Sequence, residues 1–169
     1  MYIKCNYIYL YQNQNKMSIN EAIKQDEFSS EQQRLVMNII FTGNHLSASS
    51  NRLFKKYDLT NQQFNVLRIL RGQNGTAITV KNIESRMLDR SSNVSRLIDK
   101  LLKKSLVERI PSCEDRRRVD INVTQKGLDL LGSMDVDVRA MEFACLDCVH
   151  EEHAVLANQI LDQLRKVKP

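Results

Sequence analysis

Between Ser91 and Val138 the apolar pattern changes period twice, and few folds accommodate that. Val94, Leu97, Ile98, Leu101 and Leu102 fall at i, i+3, i+4, i+7 and i+8, the spacing of one buried helical stripe. Leu106 to Ile110 is then short and alternating, and Val119, Ile121 and Val123 alternate with Asp120 and Asn122, as strands do. From Thr124 the helical period returns, with Leu128, Leu131, Met134 and Val138 on one face. The stretch RIPSCEDRRRVDINVT between and around the two strands is therefore a β-hairpin whose tip carries Arg116, Arg117 and Arg118. Ser91 or Ser92 is expected to cap the preceding helix, which should run over about 91-104. Turning its stripe inward leaves Ser92, Ser95, Arg96, Asp99, Lys100 and Lys103 facing out.

The rest of the chain reads as helix. Ser30 to Gln33 has capping-box spacing and precedes the stripe Leu35, Val36, Ile39 and Ile40, so a long helix should run towards Phe54, with Gly43-Asn44 as a place for a kink. Thr60 to Gln63 opens a second helix carrying Phe64, Leu67 and Leu70, which ends in RGQNG. Thr79 is expected to cap a short helix reaching about Leu88, and a last helix should span about Glu151 to Lys166. Only 5 Gly and 2 Pro in 169 residues, with 42% apolar residues, agree with a mainly helical chain that buries a real core. The expected fold class is mainly α with a small two- to three-stranded β-wing. Two short helices joined by a tight turn, the second amphipathic, then a two-stranded wing, have the organisation of a winged helix-turn-helix.

Charge is concentrated where that reading places it. From Arg90 to Arg118 there are nine basic residues against four acidic ones, which accounts for the whole net charge of +5. A helix enters the B-DNA major groove with the residues of its first turns at the base edges. Here those are Ser91, Ser92, Asn93, Ser95 and Arg96. Lys100, Lys103 and Lys104 lie too far down the helix for base reading, which leaves backbone contact or solvation. Arg116, Arg117 and Arg118, with no buried face to hold them, can project into a minor groove, where negative potential attracts guanidinium groups. Asp115 would repel phosphate if bare; its physical use is to pair with a neighbouring arginine and fix its direction.

On these segments the sequence resembles the MarR family of winged-helix regulators. The resemblance spans about residues 30 to 165 and is carried by LTNQQFNVLRIL, ITVKNIESRMLDRSSNVSRLIDKLLKKSLVERI and CEDRRRVDINVTQKGLDLL. The family's wing signature, Asp-x-Arg followed by alternating apolar residues and Thr-x-x-Gly, falls on Asp115, Arg117 and Thr124 to Gly127. The resemblance implies a homodimer whose first and last helices interlock and which places two winged domains on a pseudo-palindromic operator. It also implies repression of transcription relieved by a small-molecule effector or by oxidation. It divides the chain into an extension (1-17), an N-terminal dimerisation helix region (18-57), a DNA-binding domain (58-124) and C-terminal dimerisation helices (125-169). One departure is visible: Ser105 stands where the family commonly has glycine after the recognition helix, so a left-handed cap is less comfortable there.

The remaining chemistry is thinner. No apolar run is long enough to span a membrane and no signal-peptide core precedes a small-residue cleavage site, so a cytoplasmic protein with no membrane partner is expected. Met17-Ser18 is a candidate start, which would make residues 1 to 16 upstream sequence or a dispensable arm. Cys5, Cys113, Cys145 and Cys148 should then be reduced thiols. Cys145, Cys148, His150 and His153 lie within nine residues, which raises a zinc-responsive alternative, but one helix cannot aim all four at one point. Cys113, beside arginines that would lower its pKa, is the candidate for a thiol-responsive one. No cofactor or resident metal is implied. No Ser-His-Asp arrangement or glycine-rich phosphate loop supports catalysis, so the chain is not expected to be an enzyme. The main rival is a winged-helix module that binds protein or RNA.

Overall fold

The computed structural model describes residues 18–111, 119–146 and 149–166, with the backbone alone for residues 145 and 146. In chain order the elements are α1 (Ile19–Ile23), α2 (Glu31–Lys55), α3 (Asn61–Arg71), β1 (Ile78–Thr79), α4 (Val80–Glu84), α5 (Val94–Lys103), β2 (Val107–Pro111), β3 (Val119–Val123), α6 (Gln125–Leu146) and α7 (Glu151–Leu164). Ser18–Asp137 forms one compact unit, and the chain from Val138 onward belongs to a second.

The helix starts follow cap chemistry. Thr60 closes a complete capping box: its hydroxyl accepts from the Gln63 N–H at 3.2 Å while Gln63 Oε1 accepts the Thr60 N–H at 3.0 Å. At α2 the expected box is only half made. Ser30 Oγ accepts the Gln33 N–H, but the Gln33 side chain reaches one residue further back, to the N–H and hydroxyl of Ser29. Gly43 and Asn44 lie within the continuous α2 helix. Thr79 caps α4 as expected, yet that helix stops at Glu84 and not near Leu88; Met87 is buried from the turn that follows.

α3 is the centre of the first unit and packs against α2, α4, α5 and β3. Val66, Leu67 and Leu70 of α3, Ile83 of α4, Val94, Ile98 and Leu101 of α5, and Ile121 of β3 are fully buried, each contributing roughly 1.5–3 kcal/mol. Leu131 and Met134 of α6 join them. The end of α2 is tied in by Phe54, whose ring stacks on Phe64 with centroids 4.1 Å apart. Two polar links hold the part of α6 up to Asp137 within this unit: Arg71 donates to both Asp135 oxygens at 3.0 Å, and the Tyr57 hydroxyl donates to Asp137 Oδ2 at 3.1 Å. Burial, helped by the Asp137 carboxylate, pushes the Tyr57 phenol above its usual 10.0.

The sheet has three antiparallel strands in the order β1-β3-β2. Val107 pairs Val123, Arg109 pairs Ile121 and Pro111 pairs Val119, which makes β2 and β3 the expected hairpin. β1, only two residues long, pairs Ile78 with Ile121 and Thr79 with Asp120 and was not anticipated as a strand. The hairpin tip, with Asp115, Arg116, Arg117, Arg118 and Cys113, lies outside the described residues, as does Cys148.

Ser105 does adopt the left-handed conformation, at φ 58°. Its N–H donates to the Leu102 carbonyl at 2.9 Å and the Leu106 N–H to the Leu101 carbonyl at 3.0 Å, the paired bonds of a Schellman cap on α5. A side chain in that region costs about 1–2 kcal/mol, partly recovered against glycine's larger backbone entropy. Ser105→Gly should therefore raise stability by about 0.5–1 kcal/mol, measured as a higher urea midpoint at unchanged m.

Candidate nucleic-acid interface

The residues before α5 set how the helix is presented. Asp89 organises the turn: its Oδ1 accepts the Ser91 N–H at 3.0 Å and the Ser91 hydroxyl at 2.6 Å, and those bonds hold its carboxyl below the usual carboxylate range. The Leu88 N–H is taken by Asn65 Oδ1 of α3 at 3.0 Å, which fixes the turn to the helix beneath it. Asn65 was not singled out from the sequence, and only the tertiary packing that brings position 65 under position 88 identifies it.

The cap of α5 is neither Ser91 nor Ser92. Asn93 fills that role, its Oδ1 accepting the Arg96 N–H at 3.0 Å, so the helix begins at Val94 and ends at Lys103. Ser91 is committed to Asp89 before it can reach the helix, and the Ser92 hydroxyl oxygen is enclosed. The expectation that Ser92 faces outward is therefore corrected. With Asn93 Oδ1 spent on the cap, its Nδ2 remains as a donor. Ser95, Arg96, Asp99, Lys100 and Lys103 are exposed as expected, while Val94, Ile98 and Leu101 turn inward.

α5 and the hairpin are braced against each other. Arg109 of β2, on the face of the sheet that meets α5, bonds Asp99 Oδ1 at 2.8 Å. Both groups are more than half exposed, so the pair orients more than it stabilises. Below them a cavity of about 240 Å³ is bounded by Val80, Ser95, Ile98, Arg109, Val119 and Ile121. At the hairpin's root, the Thr124 N–H donates to the Leu106 carbonyl at 3.1 Å and its hydroxyl to the Ser105 carbonyl at 2.8 Å. Thr124 also caps α6, accepting the Gly127 N–H at 3.1 Å.

Of the cluster Cys145, Cys148, His150 and His153, only the two histidines have described side chains. The rings of His150 and His153 meet edge to face with centroids 5.9 Å apart, and among the described residues no group of three His, Cys, Asp or Glu could hold a metal. Likewise, no helix among the described residues is long and apolar enough to cross a membrane.

A helix pair with a pinned turn, a second helix showing a polar basic face, and a braced two-stranded hairpin define a winged helix-turn-helix. Residues 59–119, about a third of the chain, match the MarR family model. The chain is 28% identical over 106 residues to the HTH-type transcriptional regulator SarZ of Staphylococcus haemolyticus, covering 63% of this chain and 70% of that one. It is 36% identical over 77 residues to MgrA of Staphylococcus aureus, covering 46% of this chain and 51% of that relative, about half its length. The S. aureus MepR–DNA complex is similar in fold, with a TM-score of 0.69 at 20% identity, covering 78% of this chain and 94% of that structure.

Proposed function

We propose that the protein is a sequence-specific double-stranded DNA-binding transcriptional regulator, a repressor acting as a homodimer on a pseudo-palindromic operator. The observation that carries this reading is the presentation of α5. Its apolar stripe is buried, its N-terminal turn is pinned by Asp89 and Asn65, and Ser95 and Arg96 stand exposed in the first turn. Among the described residues the Arg96 side chain has no ion-pair partner, so its guanidinium is available for a guanine edge or a phosphate. Ser91, Asn93, Ser95 and Arg96 read or position the major groove. Arg116, Arg117 and Arg118, with Asp115 as buttress, enter the minor groove.

Support for the dimer comes from unpartnered apolar surface. Leu35, Val36, Ile40 and Phe41 of α2 are exposed, and α7 has no fully buried residue while exposing Val155 and Leu156. Apolar faces of this kind mark association surfaces. Residues 18-57 and 125-169 supply them in this reading, around the DNA-binding segment 58-124, with 1-17 as an extension. A small-molecule effector relieves repression, and the chain itself does no catalysis.

The wing is tested with Arg117→Ala against the parent on the protein's own upstream DNA. The expected result is at least a tenfold loss of affinity together with a shallower salt dependence, since a cation that neutralises a phosphate contributes about 0.9 to the slope. Unchanged affinity and slope would remove the wing from the mechanism.

A further inference from the structure

A second basic feature lies beside the recognition surface. Between the end of α2, the start of α3 and the outer face of α5 is a cleft of about 470 Å³, walled by Lys55, Asp58, Gln63, Lys100, Lys103 and Lys104 with the Leu59-Thr60 backbone turn. Asp58, the only carboxylate among the described lining residues, is already engaged: Lys104 Nζ sits 2.9 Å from its Oδ2 and also donates to its carbonyl. Asp99, one helical turn before Lys103, turns away to Arg109. Lys55, Lys100 and Lys103, from two different helices, therefore line one hollow with no carboxylate partner among the described residues.

Grouping three ammonium ions without a counter-charge costs repulsion that a bound anion relieves. The positive end of α3 adds to the same field. The wall also contains Gln63, only 4% exposed, whose Oε1 accepts the Thr60 N–H and whose amide nitrogen carries two N–H donors. An all-lysine set presents point charges on flexible stems, which suits a tetrahedral, multiply charged oxyanion; planar bidentate recognition of a carboxylate would favour arginine. We propose that this cleft binds a phosphoryl group, with Lys55, Lys100 and Lys103 as its cationic donors. The group comes either from a free phosphate compound or from the duplex backbone flanking α5; only the second source rests on the DNA-binding reading.

The test uses the full chain and inorganic phosphate, with chloride at equal ionic strength as reference. The parent's Tm should rise saturably with phosphate. That rise should vanish in the double variant Lys100→Gln, Lys103→Gln and persist in Lys166→Gln, an exposed lysine of the second unit. No phosphate-specific rise in the parent, or an equal rise in the double variant, overturns the proposal. The double variant's Tm in chloride checks that it is folded, and Lys55→Gln alone, with a reduced phosphate response, gives an independent readout. On upstream DNA, competition by phosphate beyond that of chloride assigns the cleft to a backbone phosphate; undiminished DNA affinity at saturating phosphate assigns it to a free compound.

Discussion

Replacing Gly127 by alanine is expected to cost about 3 kcal/mol of folding stability, at the upper end of what overpacking a close contact costs. A Cβ built at that position would lie 2.4 Å from the Leu106 carbonyl oxygen and 2.7 Å from Val123 Cγ2. Neither neighbour can yield cheaply. The Leu106 carbonyl accepts the Thr124 N–H and the Leu106 N–H belongs to the cap of α5, while Val123 is paired with Val107 in the sheet. The Thr-x-x-Gly signature thus has a physical meaning: threonine starts α6 and fastens it to the root of the hairpin, and glycine lets the helix come close. For a domain with a typical stability of 5–15 kcal/mol this is a large fraction. Denaturant unfolding of Gly127→Ala checks it, and a loss below about 0.5 kcal/mol would show that the contact relaxes freely.

Arg96→Ala is the substitution expected to change DNA recognition most among the described residues. A guanidinium making a paired contact with a base edge is worth about 1–3 kcal/mol of discrimination, so affinity for the operator should fall roughly 10- to 100-fold. Affinity for a scrambled duplex should fall much less, because a base contact carries sequence information and a phosphate contact does not. The fold should survive, since Arg96 is exposed and only its backbone N–H serves the cap. Equal losses on both duplexes would move Arg96 from base reading to the phosphate backbone.

Periodicity made much of this architecture legible. The stripe Val94, Ile98 and Leu101 and the alternation at Ile121 and Val123 each place several residues on one face, and all five are buried. Local chemistry was harder to rank. Ser91, Ser92 and Asn93 all have side chains able to cap, and the choice of Asn93 follows from Asp89 capturing Ser91 first. β1 is too short to show an alternation, and its strand character exists only through pairing with β3. The end of α4 at Glu84 was hidden because Met87 continues the apolar pattern from a turn. Ser105 shows the reverse case: its discomfort was readable, yet the Schellman bonds of Leu106 and Ser105 hold the left-handed turn regardless. The lysine cleft joins Lys55 to Lys100 and Lys103 across the fold, a proximity that no local pattern encodes.

Recognition of duplex DNA by sequence is the proposal on which the roles of α5 and the wing depend. The most direct measurement is the affinity of the purified protein for its own upstream DNA and for a scrambled duplex of equal length, across 50 to about 200 mM salt. Both affinities should fall steeply with salt while the upstream duplex stays at least about 10³-fold tighter. Equal affinity for the two duplexes, or binding indifferent to salt, would contradict that proposal and leave the winged domain as a module for some other partner.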